Sequence, residues 1–309
     1  MKYSVIVPVY NEQDNVKKLH QDIVTTMSGL DDDYEIIFVD DGSSDDTVTR
    51  LQELSRLSII QLRKNFGQTA ALDAGIKLAQ GEYIITLDGD GQNPPSEIPK
   101  LIKTRQDGDY DVVSGWRAQR QDPLMKKFVS RGANVLRKLL IDDGIHDSGC
   151  SLKIYKKACF DQLDLYGEMH RFIPAILKLK GYTVGEVMVK HQARTSGISK
   201  YNWKRTIKGF LDMIGVWFWK KYATRPLHLF GGIGMLAILI SFILFLFVVY
   251  QKIILHIDLS NSILTEITFF VFIIGIILVI FGLMSDMLSK LYFGTSKDRA
   301  YSIKKITKK

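Results

Sequence analysis

The sequence is poor in cysteine, opens on nothing that reads as a leader, and is short of acidic charge. Of its 309 residues only Cys150 and Cys159 are cysteines. Neither has partners at metal-ligand spacing, so a thiolate metal site is excluded; a disulfide framework has no material, and a reducing compartment fits. The N-terminus does not read as a signal peptide. Lys2 is followed by a short apolar run that Pro8 interrupts, with no small-residue cleavage site beyond it. That run is expected to be a first strand, with the N-terminal domain in the cytosol. The formal net charge is +8, which suits either a nucleic acid or a membrane surface as partner. The basic residues track apolar runs rather than an aromatic groove, so a membrane is expected and a nucleic acid is not. There is no internal repeat and no low-complexity tract.

What is present is an alternation. Tyr3–Val9, Glu35–Asp40, Ser58–Leu62, Tyr83–Asp88 and Val112–Ser114 are β-branched runs that predict buried strands. Amphipathic stretches such as Asn15–Met27 and Thr47–Leu57 lie between them. Strands alternating with helices predict βαβ units and an α/β domain over residues 1–200 with a mostly parallel sheet. In such open sheets ligands bind beyond the carboxyl ends of the strands.

The chain then changes character. In 201–225, Trp203, Ile207, Phe210, Ile214 and Trp217 fall on one helical face, with Lys204, Arg205, Lys208, Lys220 and Lys221 near the ends. This pattern fits a helix lying in a membrane interface, or alternatively an ordinary core-facing helix. Residues 227–250 and 264–288 are each long and apolar enough to cross a bilayer, and the loop between them is short and near neutral. Both outer flanks are basic, including Lys220, Lys221 and Arg225 on one side and the 290–309 tail on the other. The positive-inside rule then places the large domain and both termini in the cytosol. Gly232–Ala237 fits G-x-G-x-x-A, but it sits in an apolar span with no strand before it; close helix packing accounts for it better than a dinucleotide site.

The chemistry sits at the strand ends. Asp88-Gly89-Asp90 places two carboxylates one residue apart where the chain turns. Such a pair can share a hard divalent cation that takes its remaining ligands from water and substrate phosphates, or it is simply a polar turn. A calcium loop is excluded, because Asn93 and Pro99 stand where glycine and glutamate are needed. Val39-Asp40-Asp41-Gly42-Ser43 offers an acidic strand end, a glycine for a tight turn and a helix cap.

Pro8-Val9-Tyr10-Asn11-Glu12, Asp40-Asp41-Gly42-Ser43, Asp73-Ala74-Gly75 and Leu87–Gln92, in this order, resemble the family 2 glycosyltransferases, which have a GT-A fold. Ser114–Arg117, Asp147–Cys150, Gly167–Phe172 and His191…Arg194…Gly197…Ser199-Lys200-Tyr201, with the two-helix hairpin, look like the polyprenyl-phosphate branch: dolichyl-phosphate mannose synthases and bacterial undecaprenyl-phosphate glycosyltransferases. The resemblance covers almost the whole chain. It implies a Rossmann-like sheet with flanking helices, interfacial amphipathic helices and a transmembrane hairpin. It implies that Pro8, Tyr10, Glu12, Val39, Asp41, Asp88, Gly89, Asp90, Gln92, Arg194 and Lys200 bind the nucleotide-sugar. Asp88, Asp90 and Gln92 would organise Mg²⁺ or Mn²⁺. Arg117, Arg131 and Lys200 would meet the acceptor phosphate, with Asp90, Asp147 and Arg117 catalytic. Gly89 departs from the alanine the family often carries, a change expected to matter little.

Asp147 is the candidate base by position, yet a phosphate monoester with a second pKa of ~6 needs little help to ionise. It can instead orient the acceptor or hold Arg117 or His170. The 122–141 segment is amphipathic, either a lid carrying Arg131 to the lipid phosphate or a solvated helix. The expected activity is inverting transfer of one sugar from a UDP- or GDP-sugar to undecaprenyl or dolichyl phosphate at the cytosolic membrane face. Self-association is left open. The rivals are a processive polysaccharide synthase, against which the missing Q-x-x-R-W motif counts, and a non-catalytic membrane sensor or scaffold of nucleotide-sugars.

Overall fold

The computed structural model describes residues 1–118, 144–161, 163, 165, 167, 169–192, 211, 214–219, 221–256 and 262–295. The expected 122–141 helix lies outside them, as do most of 203–222 and the basic tail. The chain forms two compact units, one up to Trp217 and one from Phe218 to Ala300.

In the first unit, seven strands form one sheet in the order β3-β2-β1-β4-β6-β5-β7. They are β1 (Tyr3–Val9), β2 (Tyr34–Asp40), β3 (Ser58–Gln61), β4 (Tyr83–Thr86), β5 (Val112–Trp116), β6 (Lys153–Lys156) and β7 (Val184–Met188). The strand pairs are parallel except that β6 runs antiparallel to both β4 and β5. The sheet is therefore mostly parallel, as expected, with one reversed strand inserted. Strands β6 and β7 carry no long apolar run and are not evident from the sequence.

β1 reads as an unbroken apolar run because helices cover both of its faces. Val5 and Val7 join one buried cluster with Leu19 and Ile23 of α1 (Val16–Ser28) and Leu101 of α4 (Ile98–Gly108). Ile6 joins the other cluster, with Leu72 and Ile76 of α3 (Gln68–Leu78) and Ile176 of α5 (Ile173–Leu179). A Cβ on Gly75 would lie 2.6 Å from the Ile6 side chain, so α3 sits directly on β1. The remaining helix, α2 (Thr47–Gln52), is shorter than its amphipathic stretch, and the chain reverses at Arg56, whose φ is 61°.

Proline is unusual in a central strand because it cannot donate to a ladder. Pro8 is tolerated because β4 stops pairing with β1 at Ile6↔Thr86, while β2 continues to Val9↔Asp40. The early end of β4 leaves Val7 to Val9 without strand partners on that side. The chain winds outward from β1 through β2 to β3, then returns to β4 on the other side of β1, and ligands bind at such a switch point.

The second unit holds α6 (Pro226–Ile253) and α7 (Ile263–Thr295). Their 28 and 33 residues exceed the ~20 that a bilayer needs, and their most apolar 18-residue stretches have mean hydropathies of 2.9 and 3.0. Both are slightly longer than the apolar runs alone indicate; α7 continues through an Asp286–Lys290 ion pair of 2.7 Å. The helices cross at Gly234 and Gly275. A Cβ on Gly234 would stand 2.7 Å from the Gly275 carbonyl oxygen, so close packing accounts for the second glycine of the G-x-G-x-x-A match, while a Cβ on Gly232 would meet nothing within 4 Å. Ser241 Oγ donates to the Thr268 carbonyl at 2.8 Å, keeping one hydroxyl satisfied between the two helices.

Candidate active site

At the carboxyl ends of β1 and β2 two turns are laced together. Asn11 N donates to Ser43 Oγ at 2.9 Å, and Ser44 N returns a bond to Asn11 Oδ1 at 2.8 Å. Glu12 N donates to Thr47 Oγ1 at 2.8 Å, and Glu12 accepts from Asn15 Nδ2 at 2.7 Å. Asp40 closes its own turn by accepting from Ser43 N. The Asp41 carboxylate receives Phe66 N at 2.7 Å and Gly67 N at 2.9 Å, and so draws the β3–α3 loop over the end of β2. Gly42 makes this approach feasible: its φ is +74°, and a Cβ there would stand 2.5 Å from the Lys64 backbone. Val39 is wholly buried, paired with β1 and β3 on either side and packed into the core with Ile6 and Ala71. Tyr10 remains part-exposed at the rim.

The acidic pair follows β4. Asp88 accepts from Gln68 Nε2 at 2.6 Å, and its backbone N–H donates to Ser151 Oγ at 3.0 Å. Asn93 Nδ2 donates to the same hydroxyl at 2.8 Å. Asp90, 9% exposed, accepts from Gln92 N at 3.1 Å, and the Gln92 carbonyl accepts from Gln192 N. Burial, and then the neighbouring Asp90 charge, raise the Asp88 carboxyl above its ordinary value. Two crowded carboxylates whose charges oppose one another fit a divalent cation, and a site with so few protein oxygens suits one that keeps water and phosphate ligands. Among the described residues no group of three or more acidic, histidine or cysteine side chains could cage a metal alone.

Gly89 is less replaceable than the sequence suggests. A Cβ there would lie 2.6 Å from Val9 Cγ1 and 3.0 Å from the Pro8 carbonyl oxygen. The acidic turn rests directly on the end of β1, and an alanine requires movement of a stiff valine or of backbone.

Arg117 and Asp147 form the third part. Nε donates to Oδ2 at 2.6 Å and Nη2 to Oδ1 at 3.0 Å, and their side chains are only 9% and 16% exposed. Burial pushes the Asp147 carboxyl upward, but the Arg117 hydrogen bonds and charge outweigh it and hold the carboxyl below its usual range. Burial also opposes the Arg117 charge, and Asp147 reverses the balance, so the guanidinium pKa is raised. Of the roles open to Asp147, holding Arg117 is the one the geometry displays. His170 Nδ1 lies 2.7 Å from Thr69 Oγ1.

Four supporting residues escape a motif-based reading. Gln68 and Ser151 brace Asp88. Lys153, 2% exposed, donates to the Ser148 and Cys150 carbonyls. Glu186 accepts from the backbone N–H of His146 at 2.8 Å and of Asp147 at 3.2 Å. Only Ser151, one residue beyond the Asp147–Cys150 motif, left a local signal. Arg131, Arg194 and Lys200 lie outside the described residues.

Comparison with known proteins bears on this arrangement. Residues 4–164, just over half the chain, match the family model described as glycosyl transferase family 2. A dodecaprenyl-phosphate galacturonate synthase of Rhizobium johnstonii is 34% identical, the match covering 99% of this chain and 93% of that protein. An undecaprenyl-phosphate 4-deoxy-4-formamido-L-arabinose transferase of Proteus mirabilis is 31% identical, over 99% of this chain and 94% of that protein. Among solved structures, glucosyl-3-phosphoglycerate synthase of Mycobacterium tuberculosis, crystallised with Mn²⁺ and UDP-glucose, superposes with a TM-score of 0.54 at 16% identity, covering 71% of this chain and 78% of that one. A mannosyltransferase of Pyrobaculum calidifontis in complex with GDP-mannose and Mn²⁺ gives a TM-score of 0.52 at 18% identity, over 69% and 64%. These structural likenesses bear on the fold.

Proposed function

The chain belongs to glycosyl transferase family 2, and from that membership we propose that it moves one sugar from a UDP- or GDP-sugar to the phosphate of a polyprenyl lipid at the cytosolic face of a membrane. The observation that carries this is the meeting, at one sheet edge, of the Asp88/Asp90 pair with a buried, pre-oriented Arg117. The acceptor class rests on the two relatives, named for transfer to dodecaprenyl and undecaprenyl phosphate, that match nearly the full chain. The two apolar helices supply an anchor in the membrane where such a lipid resides. Their basic flanks support placing the catalytic unit and both termini on the cytosolic side.

The laced turns around Tyr10, Glu12 and Asp41 present a rigid edge for the nucleoside. When held by Asp88 and Asp90 with Gln92 beside them, Mg²⁺ or Mn²⁺ supplies positive charge against the departing diphosphate. Arg117 presents its free guanidinium edge to phosphate oxygen, for which its planar fork is suited. A lipid-phosphate oxygen attacks the anomeric carbon, and the bond from that carbon to the diphosphate oxygen breaks with inversion. No protein base is required, because a phosphate monoester with a second pKa of ~6 is largely a dianion at neutral pH. Asp147 keeps Arg117 in place. Arg194 and Lys200 are assigned to the phosphates by their motifs, and Arg131 by the amphipathic 122–141 segment that would carry it to the lipid phosphate.

The test is transfer by the full chain in detergent, with undecaprenyl or dolichyl phosphate and a panel of labelled UDP- and GDP-sugars. A lipid bearing one sugar, formed with Mg²⁺ or Mn²⁺ and lost with EDTA, is expected. A polymer product would favour a processive synthase, and nucleotide-sugar binding without turnover on any acceptor would favour a sensor.

A further inference from the structure

Thr86 on β4, Lys153 on β6, Ser114 on β5 and Glu186 on β7 are direct register partners across four neighbouring strands. Residues paired in this way project from the same face of a sheet. One step earlier on that face lie Ile84, Tyr155, Val112 and Val184, which are part of the apolar core. The polar residues thus form a row crowning that core at the sheet edge that carries the site.

Three of the four grip one segment at successive points. Glu186 accepts from the N–H groups of His146 and Asp147, and its second oxygen lies 2.7 Å from His146 Nδ1. The His146 ring is in turn stacked on Trp116, with centroids 4.5 Å apart. Lys153 donates to the carbonyls of Ser148 and Cys150. Thr86 Oγ1 donates to the Ser151 carbonyl at 2.7 Å. The segment from His146 to Ser151 has no strand pairing of its own, so these side chains take the place of a ladder. Its two ends touch different halves of the site: Asp147 holds Arg117, and Ser151 Oγ receives the Asp88 backbone N–H.

We infer that this cross-strand polar row positions the two halves of the reaction centre through the 146–151 segment, with Glu186 the positioning residue for the acceptor side and Thr86 for the donor side. The inference rests on the assignment of Arg117 to the acceptor phosphate. Glu186 touches no substrate. It acts by fixing the peptide groups from which Asp147 projects, and hence the angle at which Arg117 meets the lipid phosphate. What matters is reach, since a single oxygen, Oε1, takes both N–H groups. A glutamine retains an acceptor at the same distance; an aspartate, one methylene shorter, does not.

The experiment compares Glu186→Gln, Glu186→Asp, Glu186→Ala, Thr86→Val, Arg117→Ala and the Glu186→Ala/Arg117→Ala pair, with KM measured separately for lipid phosphate and nucleotide-sugar. Losing the hydrogen-bond anchor is expected to raise the acceptor KM about tenfold in Glu186→Asp, which cannot reach, and in Glu186→Ala, with donor KM unchanged and Glu186→Gln near the parent. Thr86→Val is expected to raise donor KM instead. On the Arg117→Ala background, Glu186→Ala should add nothing further. If Arg117→Ala raises the acceptor KM but Glu186→Asp and Glu186→Ala leave it unchanged or raise both KM values alike, the inference fails. If Arg117→Ala itself leaves the acceptor KM unchanged, the assignment of Arg117 fails first. Should Glu186→Ala not fold, the Gln and Asp pair decides between reach and general stability.

Discussion

Arg117 and Asp147 face one another fork to fork, Nε 2.6 Å from Oδ2 and Nη2 3.0 Å from Oδ1, in a setting almost closed to water. The Asp147 carboxylate is held below its ordinary pKa by that guanidinium once burial has been overcome. A carboxylate so occupied is a poor proton acceptor near neutrality. The acid limb of the rate should therefore follow the acceptor, titrating near the second pKa of the lipid phosphate, about 6. Replacing the phosphate by a phosphonate of higher pKa should move the limb upward. A limb that ignores this exchange and disappears in Asp147→Asn would make Asp147 the base after all.

The crowding of Asp88 and Asp90 leads to a prediction about metal withdrawal. Each carboxylate already holds a bond within the protein, Asp88 from Gln68 and Asp90 from Gln92 N, which fixes its orientation before a cation arrives. Asp90→Ala should lower transfer by about 100-fold or more, because charge on the leaving diphosphate then goes unmet. Binding only to the folded state stabilises it, so Mn²⁺ should raise the apparent Tm of the parent protein and not that of Asp88→Asn or Asp90→Ala. An equal Tm rise in all three would place the metal elsewhere.

Much of this was legible in the sequence, and the remainder was hidden for identifiable reasons. β1, β2 and β4 announce themselves because burial on both faces demands continuous apolar runs. β6, Lys-Ile-Tyr-Lys, and β7, Val-Gly-Glu-Val-Met, do not, because Lys153 and Glu186 are spent on the polar row rather than on the core. Asp88 and Asp90 are visible as neighbours in sequence. Gln68 and Ser151, which brace Asp88, are 20 and 63 residues away from it, and only the fold brings them together. The glycine between the two aspartates looks interchangeable with alanine until the end of β1 is seen beneath it.

That glycine makes a sharp test of packing. Gly89→Ala introduces a methyl group 2.6 Å from Val9 Cγ1, inside any tolerable contact. Overpacking of this kind costs about 1–3 kcal/mol, and here the strain falls on the turn that carries both acidic residues. Gly89→Ala should lower both apparent Tm and transfer. Val9→Ala in the same chain removes the opposing methyl group and should restore most of the transfer lost. If Gly89→Ala alone is as active and stable as the parent, the close approach is relieved by an adjustment that leaves the site intact.

His20 gives the fold a defined acid sensitivity. It lies on α1 against Phe38, 8% exposed, and its Nε2 has no hydrogen-bond partner. Burial lowers its pKa below 6.5, with a hydrogen bond to the Ser55 backbone acting weakly in the other direction. The unfolded chain takes up this proton near pH 6.5, and the folded protein only at lower pH. Between those two values the unfolded state binds more protons, so the contribution of His20 to stability is complete above pH 6.5 and falls as the pH drops through that interval. His20→Gln has no proton to gain. Its apparent Tm, followed from pH 7.5 to 5, should fall less steeply than that of the parent, whatever the offset between the two curves at neutral pH. Parallel curves would mean that the packing around His20 admits the imidazolium, and that the acid response of the fold comes from other groups.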